Sequence, residues 1–222
     1  MSVLVVLGLY SCGENTPEIE PGEENTPEIE KPIFPLNIGN SWTYEETTHA
    51  MTNPEVETVK SEMNNVYTID GQSGFSARKY VKGEPISLLN NDNEGNCIEY
   101  LFNNDKLVHK TIIFKKNIKK GDKWIYKSAV YTDGDFSQYK ITDMEKTCIA
   151  SDTIITTPKG DFKCVVFSYN PSGAVDKEGN PNDVFVQFLS ENVGLVKFQR
   201  YELQNLFSER ILTDYTIKDI NN

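Results

Sequence analysis

From Ile33 onward the chain alternates apolar and polar residues in short runs punctuated by Gly, Asn, Asp and Pro. That is the period-two signature of half-buried strands. In CIEYLF, Ile98, Tyr100 and Phe102 share one face, and in WIYKSAVY the shared face carries Trp124, Tyr126, Ser128 and Val130. Val184, Val186 and Phe188 alternate with Phe185, Gln187 and Leu189. The same texture predicts strands over 41–48, 75–81, 106–114, 139–149, 153–157, 162–169, 193–203 and 207–217. Val56, Val59 and Met63 fit a helix face or a strand equally in spacing. About ten to twelve short strands with close turns predict a mainly β fold with little helix. The expected architecture is a single antiparallel β domain, its sheet strongly curved into a half-barrel or doubled into a sandwich.

Turn chemistry places several connections. Thr157-Pro158-Lys159-Gly160-Asp161 puts Pro and Gly between two apolar runs, the composition of a hairpin loop. Residues 90–96 (NNDNEGN) and 180–183 (NPND) are equally turn-rich, and 170–183 is the longest predicted loop.

Before Ile33 the pattern is different. Val3 to Tyr10 is an apolar run of eight, far short of the roughly 20 residues that span a bilayer as a helix. It reads as the core of a signal peptide. Residues 13–22 and 23–32 are a tandem decapeptide sharing ENTPEIE, with one Ile per copy. Such a unit cannot bury a core; Pro and Glu make an extended, self-repelling tether. At about 3 Å per residue, twenty residues reach roughly 60 Å. The tether is either a plain spacer or an acidic display signal. The expected organisation is therefore 1–11 signal peptide, 12–32 anchor and tether, and 33–222 the β domain.

Composition sharpens this picture. The 222 residues carry 22 basic and 33 acidic side chains for a net charge of −11, and nucleic acid is excluded as a partner because phosphate binding needs a basic footprint. Seven glutamates stand against Lys31 between residues 13 and 32, so six of the eleven net negative charges lie in the tether. The body is nearly balanced. Its binding preference must therefore come from shape and aromatic placement rather than field.

The chemistry-bearing residues are few. His49 and His109 are the only histidines, too few for a His-rich metal site. Gly71-Gln72-Ser73-Gly74-Phe75 misses the Gly-x-Ser-x-Gly nucleophile elbow at its last position. Asn90-x-Asp92-x-Glu94-Gly95 resembles half of an EF-hand loop, with Leu101 where the bidentate Glu belongs. No catalytic residue, metal or cofactor is assigned, and the chain is expected not to be an enzyme. The most specific internal feature is a duplicated Gly-x-x-Trp-x-Tyr, at Gly39 to Tyr44 and Gly121 to Tyr126, which contains both tryptophans. Strand alternation sets Trp42 with Tyr44, and Trp124 with Tyr126, on one face. That arrangement suits a ligand-binding aromatic platform, for example for a glycan, or two strand starts anchored in a core.

Leu9-Tyr10-Ser11-Cys12 resembles the lipobox of bacterial lipoproteins, with a branched apolar residue three before the cysteine and a small one just before it. The resemblance implies lipidation of Cys12 after removal of the preceding peptide; two or three acyl chains anchor firmly where one does not. Gly13 in place of the Asp that marks inner-membrane retention favours the outer membrane by the same analogy. Phe34-Pro35-Leu36-Asn37-Ile38-Gly39-Asn40-Ser41-Trp42-Thr43-Tyr44 is similar to the opening of an uncharacterised lipoprotein family common in Bacteroidetes, Pro-Leu-x-x-Gly-Asn-x-Trp-x-Tyr. Ile155 to Cys164 resembles that family's Thr-Pro-x-Gly-x-Phe-x-Cys hairpin, and Asn192 to Lys197 its Val-Gly-Leu-Val-Lys strand. The three segments bracket about residues 34 to 220. The family has no established activity, so the resemblance implies an architecture and a location, not a mechanism.

With Cys12 given to lipid, Cys97, Cys148 and Cys164 remain, an odd number that allows at most one bridge. A two-residue loop at Lys159-Gly160 would set Cys164 opposite Ile155 and disfavour a local bridge to Cys148. Buried free thiols, or one long-range pair of Cys148 with Cys164 or Cys97, stay open. The reading that results is a lipid-anchored cell-envelope lipoprotein of the outer membrane, periplasmic or surface-exposed. It would act as a non-enzymatic binding or envelope-structural module for an unidentified ligand or envelope protein. The alternatives are a carrier of a lipid or other apolar molecule in the curved sheet, and a glycan-binding module.

Overall fold

The structure is a computed structural model that describes residues 31–49, 53–79, 85–132, 135–171, 177 and 179–218. The signal-peptide and Cys12 assignments, and all of the tether except Lys31 and Pro32, fall outside the described residues. The elements are β1 (Ser41–Thr48), β2 (Glu55–Glu62), β3 (Val66–Ile69), β4 (Gln72–Lys79), β5 (Pro85–Asn91), β6 (Cys97–Asn103) and β7 (Lys106–Phe114). They continue with β8 (Lys123–Thr132), β9 (Asp135–Thr157), β10 (Gly160–Tyr169), β11 (Asp183–Ser190), β12 (Gly194–Glu202) and β13 (Asn205–Thr216). No helix occurs among the described residues, so the Val56–Val59–Met63 spacing resolves as strand β2 and its exit.

Every pairing is antiparallel, in two sheets. The large sheet has eight strands in the order β2-β1-β13-β12-β11-β10-β9-β8, and the small sheet has five in the order β3-β4-β5-β6-β7. The expected mainly β, antiparallel, curved fold is what forms, doubled into two layers. Consecutive strands β2 and β3, and β7 and β8, link the sheets at their edges. At the second seam the unpaired edge of β8 is met by side chains: Lys127 N donates to Thr111 Oγ1 (3.0 Å) and Trp124 Nε1 to Ile112 O (3.0 Å). Bonds of this kind satisfy groups an open edge would leave unpaired.

Several expectations need correction in detail. Residues 139–149 and 153–157 belong to one 23-residue strand, β9, whose ladder with β10 shifts register around Val166. A bulge absorbs the misfit without ending the strand. β3 and β5 were not predicted, because VYTI is short and PISLLNN mixes polar and apolar without clean alternation. Asn90 and Asn91 close β5 rather than opening the turn. The β9–β10 loop is Pro158-Lys159, since Gly160 pairs with Thr157, and Cys164 therefore faces Thr153. Cys97, Cys148 and Cys164 are free and buried.

The duplicated motif has a common local structure. Gly39 and Gly121 have φ of +87° and +93°, a region where a side chain would be strained. In each copy the glycine N–H and the next residue's carbonyl pair with one neighbouring residue. Gly39 N donates to Met63 O and Met63 N to Asn40 O; Gly121 N donates to Cys148 O and Cys148 N to Asp122 O. The motif is a device for starting a strand with Trp and Tyr pointing inward.

The core lies between the sheets. Phe75, Cys97 and Phe114 of the small sheet meet Trp124, Tyr126, Met144, Cys148, Phe167 and Leu189 of the large one. A second cluster, with Trp42, Tyr44, Phe162, Cys164, Val196 and Leu212, fills the curl of the large sheet. Phe34 joins the two: its ring lies 5.3 Å from Trp42 and 6.1 Å from Phe114. The segment around it is a strap held by both layers. Ile33 N donates to Gly95 O in the β5–β6 turn, Asn192 N in the β11–β12 turn donates to Pro32 O, and Asn91 Nδ2 donates to Phe34 O.

The small sheet is itself strongly curled. Asp70, in the β3–β4 turn, accepts from Leu107 N (3.0 Å) and Lys106 Nζ (3.2 Å) at the start of β7, so the two edge strands of one sheet meet. The curl encloses Leu88, Ile98, Tyr100 and Phe102, with Tyr67, Ile69 and Leu107 around them. Gly74 permits it, because a Cβ there would stand 2.4 Å from Leu89 O.

Candidate functional site

The four aromatics singled out by sequence stand in the core. Trp42 is 1 % and Trp124 7 % exposed, and Tyr44 and Tyr126 are buried beside them. Their polar atoms are satisfied inside: Trp42 Nε1 donates to Val193 O, Tyr44 Oη to Leu195 O (3.1 Å) and Tyr126 Oη to Met144 Sδ (3.4 Å). Burial also pushes the Tyr44 phenol well above its usual range, although the Arg210 charge works against it. The two motif copies lie in different clusters, so no shared ring platform faces solvent. Of the two readings open at the sequence level, this is the geometry of strand anchors.

Two arrangements carry chemistry that the sequence did not point to. The first is Lys146, 2 % exposed between the sheets. β9 sets Met144, Lys146 and Cys148 on its inner face, so the lysine enters the core stripe. Its Nζ donates to Ile113 O (2.9 Å) and Gln187 Oε1 (3.1 Å). The ring centroids of Phe114, Tyr126 and Tyr169 lie 4.3, 4.7 and 4.8 Å from it. Burial pushes the amine down to about 7, with Cys97 and Glu99 pulling it back up. Two acceptors and three ring faces also favour the charged form. Its acceptors and surrounding rings come from both sheets, so this group ties the layers together.

The second arrangement is on the other face of the large sheet. Phe185, Gln187 and Leu189 of β11 face the small sheet, so Val184, Val186 and Phe188 take the opposite face of the large sheet, where Phe188 also packs against the second cluster. They adjoin Val166 of β10, Ile149 and Ala150 of β9, and Gln199 and Tyr201 of β12. Together with the polar Thr153, Ser168 and Gln204 these line an open trough of about 550 Å³. Val166 is only 2 % exposed and Val186 is buried on this face. No lining side chain is charged. The trough's polar edge is a chain of bonds: Tyr201 Oη donates to Gln199 Oε1 (3.2 Å), Gln199 Nε2 to Glu209 Oε2 (2.6 Å), and Lys197 Nζ pairs with Glu209 Oε2 at 2.7 Å. The available sequence signal was β11 itself, apolar on both faces in VFVQFL where a one-sided strand alternates.

The remaining sequence candidates resolve into structure. Ser73 shares a hydrogen bond with Thr68 across the β3–β4 hairpin (2.8 Å). Asp92 Oδ1 accepts from Glu94 N and Asn96 N, and its Oδ2 from Asn96 Nδ2. Those carboxylate oxygens close a turn. Among the described residues no cluster of three potential metal ligands forms.

No protein-family model matches the chain, and no curated protein matches it. Among solved structures it is similar to a candidate exported protein with a YmcC-like fold from Bacteroides fragilis. That similarity has 13 % identity over 84 % of this chain and 100 % of the other, with a TM-score of 0.47. A candidate lipoprotein from Parabacteroides distasonis is similar at 18 % identity over 84 % of this chain and 99 % of the other, with a TM-score of 0.41.

Proposed function

We propose that the chain is a cell-envelope lipoprotein, anchored in the outer membrane by acyl chains on Cys12. Residues 13 to 32 are its acidic tether, and its β body is a non-enzymatic binding module. The observation that carries the binding role is the trough. The sheet face turned away from the partner layer is ordinarily polar, yet on that face of the large sheet Val166, Val184, Val186 and Phe188 line an open depression of about 550 Å³, within the usual range of ligand sites. The anchor rests on Leu9 to Cys12 and the repeated tether. The strap supports it by fixing where the tether leaves the fold, between the β5–β6 and β11–β12 turns.

An environment-sensitive apolar dye tests the binding role on the full chain carrying Cys12→Ala, which removes the chain's own lipid. Dye fluorescence is expected to rise saturably and to fall at least roughly tenfold in apparent affinity with Val186→Lys, because the new charge would lie in an apolar floor. Equal dye binding by both proteins would refute the assignment.

A further inference from the structure

The trough's own hydrogen bonds specify the ligand that fits it, on the reading that the trough is the binding surface. Glu209 anchors the direction of the chain. Burial alone would raise its carboxyl, but bonds from Lys197 and Gln199 and the nearby charges of Lys197 and His49 hold it below the ordinary carboxylate range. An ionised carboxylate only accepts. Gln199 therefore turns its NH₂ toward Glu209 and its carbonyl toward Tyr201. The Tyr201 hydroxyl hydrogen is spent on that carbonyl, which leaves the phenolic oxygen as an acceptor at the edge of the trough.

Charge selects as well. Lys197 and Glu209, next to the Gln199 end of the bond chain, are paired with each other, and the lining itself carries no charged side chain. An ionised head would gain no charged partner among the lining residues and would lose part of its hydration over the apolar floor. A hydrocarbon body meets Val166, Val184, Val186 and Phe188.

We infer that the trough takes a neutral amphiphile, a hydrocarbon chain with one hydrogen-donating head such as a hydroxyl, seated so that the head donates to Tyr201 Oη. Strand direction puts this head at the open end. Tyr201 lies at the end of β12 away from Gly194 and the strap, and Val184 lies beside it in the ladder.

Competition against the bound dye, with the full-length Cys12→Ala chain, tests this. The competitors are dodecanol, dodecyl methyl ether and dodecanoate. Dodecanol is expected to displace the dye at concentrations roughly three- to tenfold lower than the ether, the span of one net hydrogen bond, and lower still relative to dodecanoate. Tyr201→Phe keeps the ring and is expected to bring dodecanol down to the ether's level while dye binding persists. Equal displacement by all three, tightest displacement by dodecanoate, or an unchanged preference in Tyr201→Phe would overturn the inference and leave the trough as a non-selective apolar site. Absence of dye binding in the parent protein would overturn the binding role as well.

Discussion

At Lys146 a single side chain sets a pH dependence for the whole fold. Its amine is lowered to about 7 by burial in the folded protein, against about 10.4 in an unfolded chain. Between those values the unfolded state binds more protons, so stability rises with pH across that window and is least favoured by this group below it. Lys146→Met removes the effect but leaves Ile113 O and Gln187 Oε1 without their donor. Absolute stability is therefore a poor readout, and the change with pH is the useful one. From pH 7 to pH 10 the wild type should gain on the Met variant by up to about 4 kcal/mol in urea unfolding. The ring faces and acceptors around Nζ reduce that figure. Parallel pH profiles in the two proteins would show that the amine does not titrate in this range. Nothing in KITDMEKTCI distinguishes Lys146 from a surface lysine except its register with Met144 and Cys148, and register is a property of the sheet. Trp42 and Trp124 were legible as strand anchors because large rings favour burial.

Among the elements, the hairpins divide by turn chemistry. Asp70-Gly71 and Asn104-Asp105 have positive φ at both positions, as two-residue turns of the twisted kind require, and use residues that tolerate it. The β12–β13 turn makes the same shape from Leu203 and Gln204, at φ of +46° and +66°. Leu203 is also 65 % exposed, so this turn is strained and gains little burial in return. Leu203→Asn with Gln204→Gly should stabilise the protein by about 1–2 kcal/mol, a rise in Tm of roughly 2–8 °C by calorimetry. A lower Tm would mean that the leucine makes contacts that outweigh the backbone cost. Most strand positions were legible from alternation, and Pro158 and Gly160 marked the β9–β10 hairpin but not its register, since the loop is Pro158-Lys159. What alternation could not give is partnership. β1 lies between β2 and β13 because the first and last strands of the described residues pair there, and β5 was missed because its Leu88 and Leu89 face two different cores. β11 carried the clearest unread signal, since a strand apolar on both sides needs something on both sides.

For the whole molecule, the strap orders the parts along one axis. Residues 31–36 enter between the β5–β6 and β11–β12 turns, wedge Phe34 between the two inter-sheet clusters, and so tie the tether to both layers. Pull along the tether is shared by both sheets instead of peeling one edge strand. The trough runs toward the ends of β11 and β12 opposite the strap. The body's near balance of charge agrees with a neutral ligand. The proposed anchor is lipid on Cys12. Metabolic labelling with an acyl-chain probe tests that most directly: the wild-type chain should carry the probe in the membrane fraction, and Cys12→Ala should carry none. Undiminished labelling of Cys12→Ala would contradict the account.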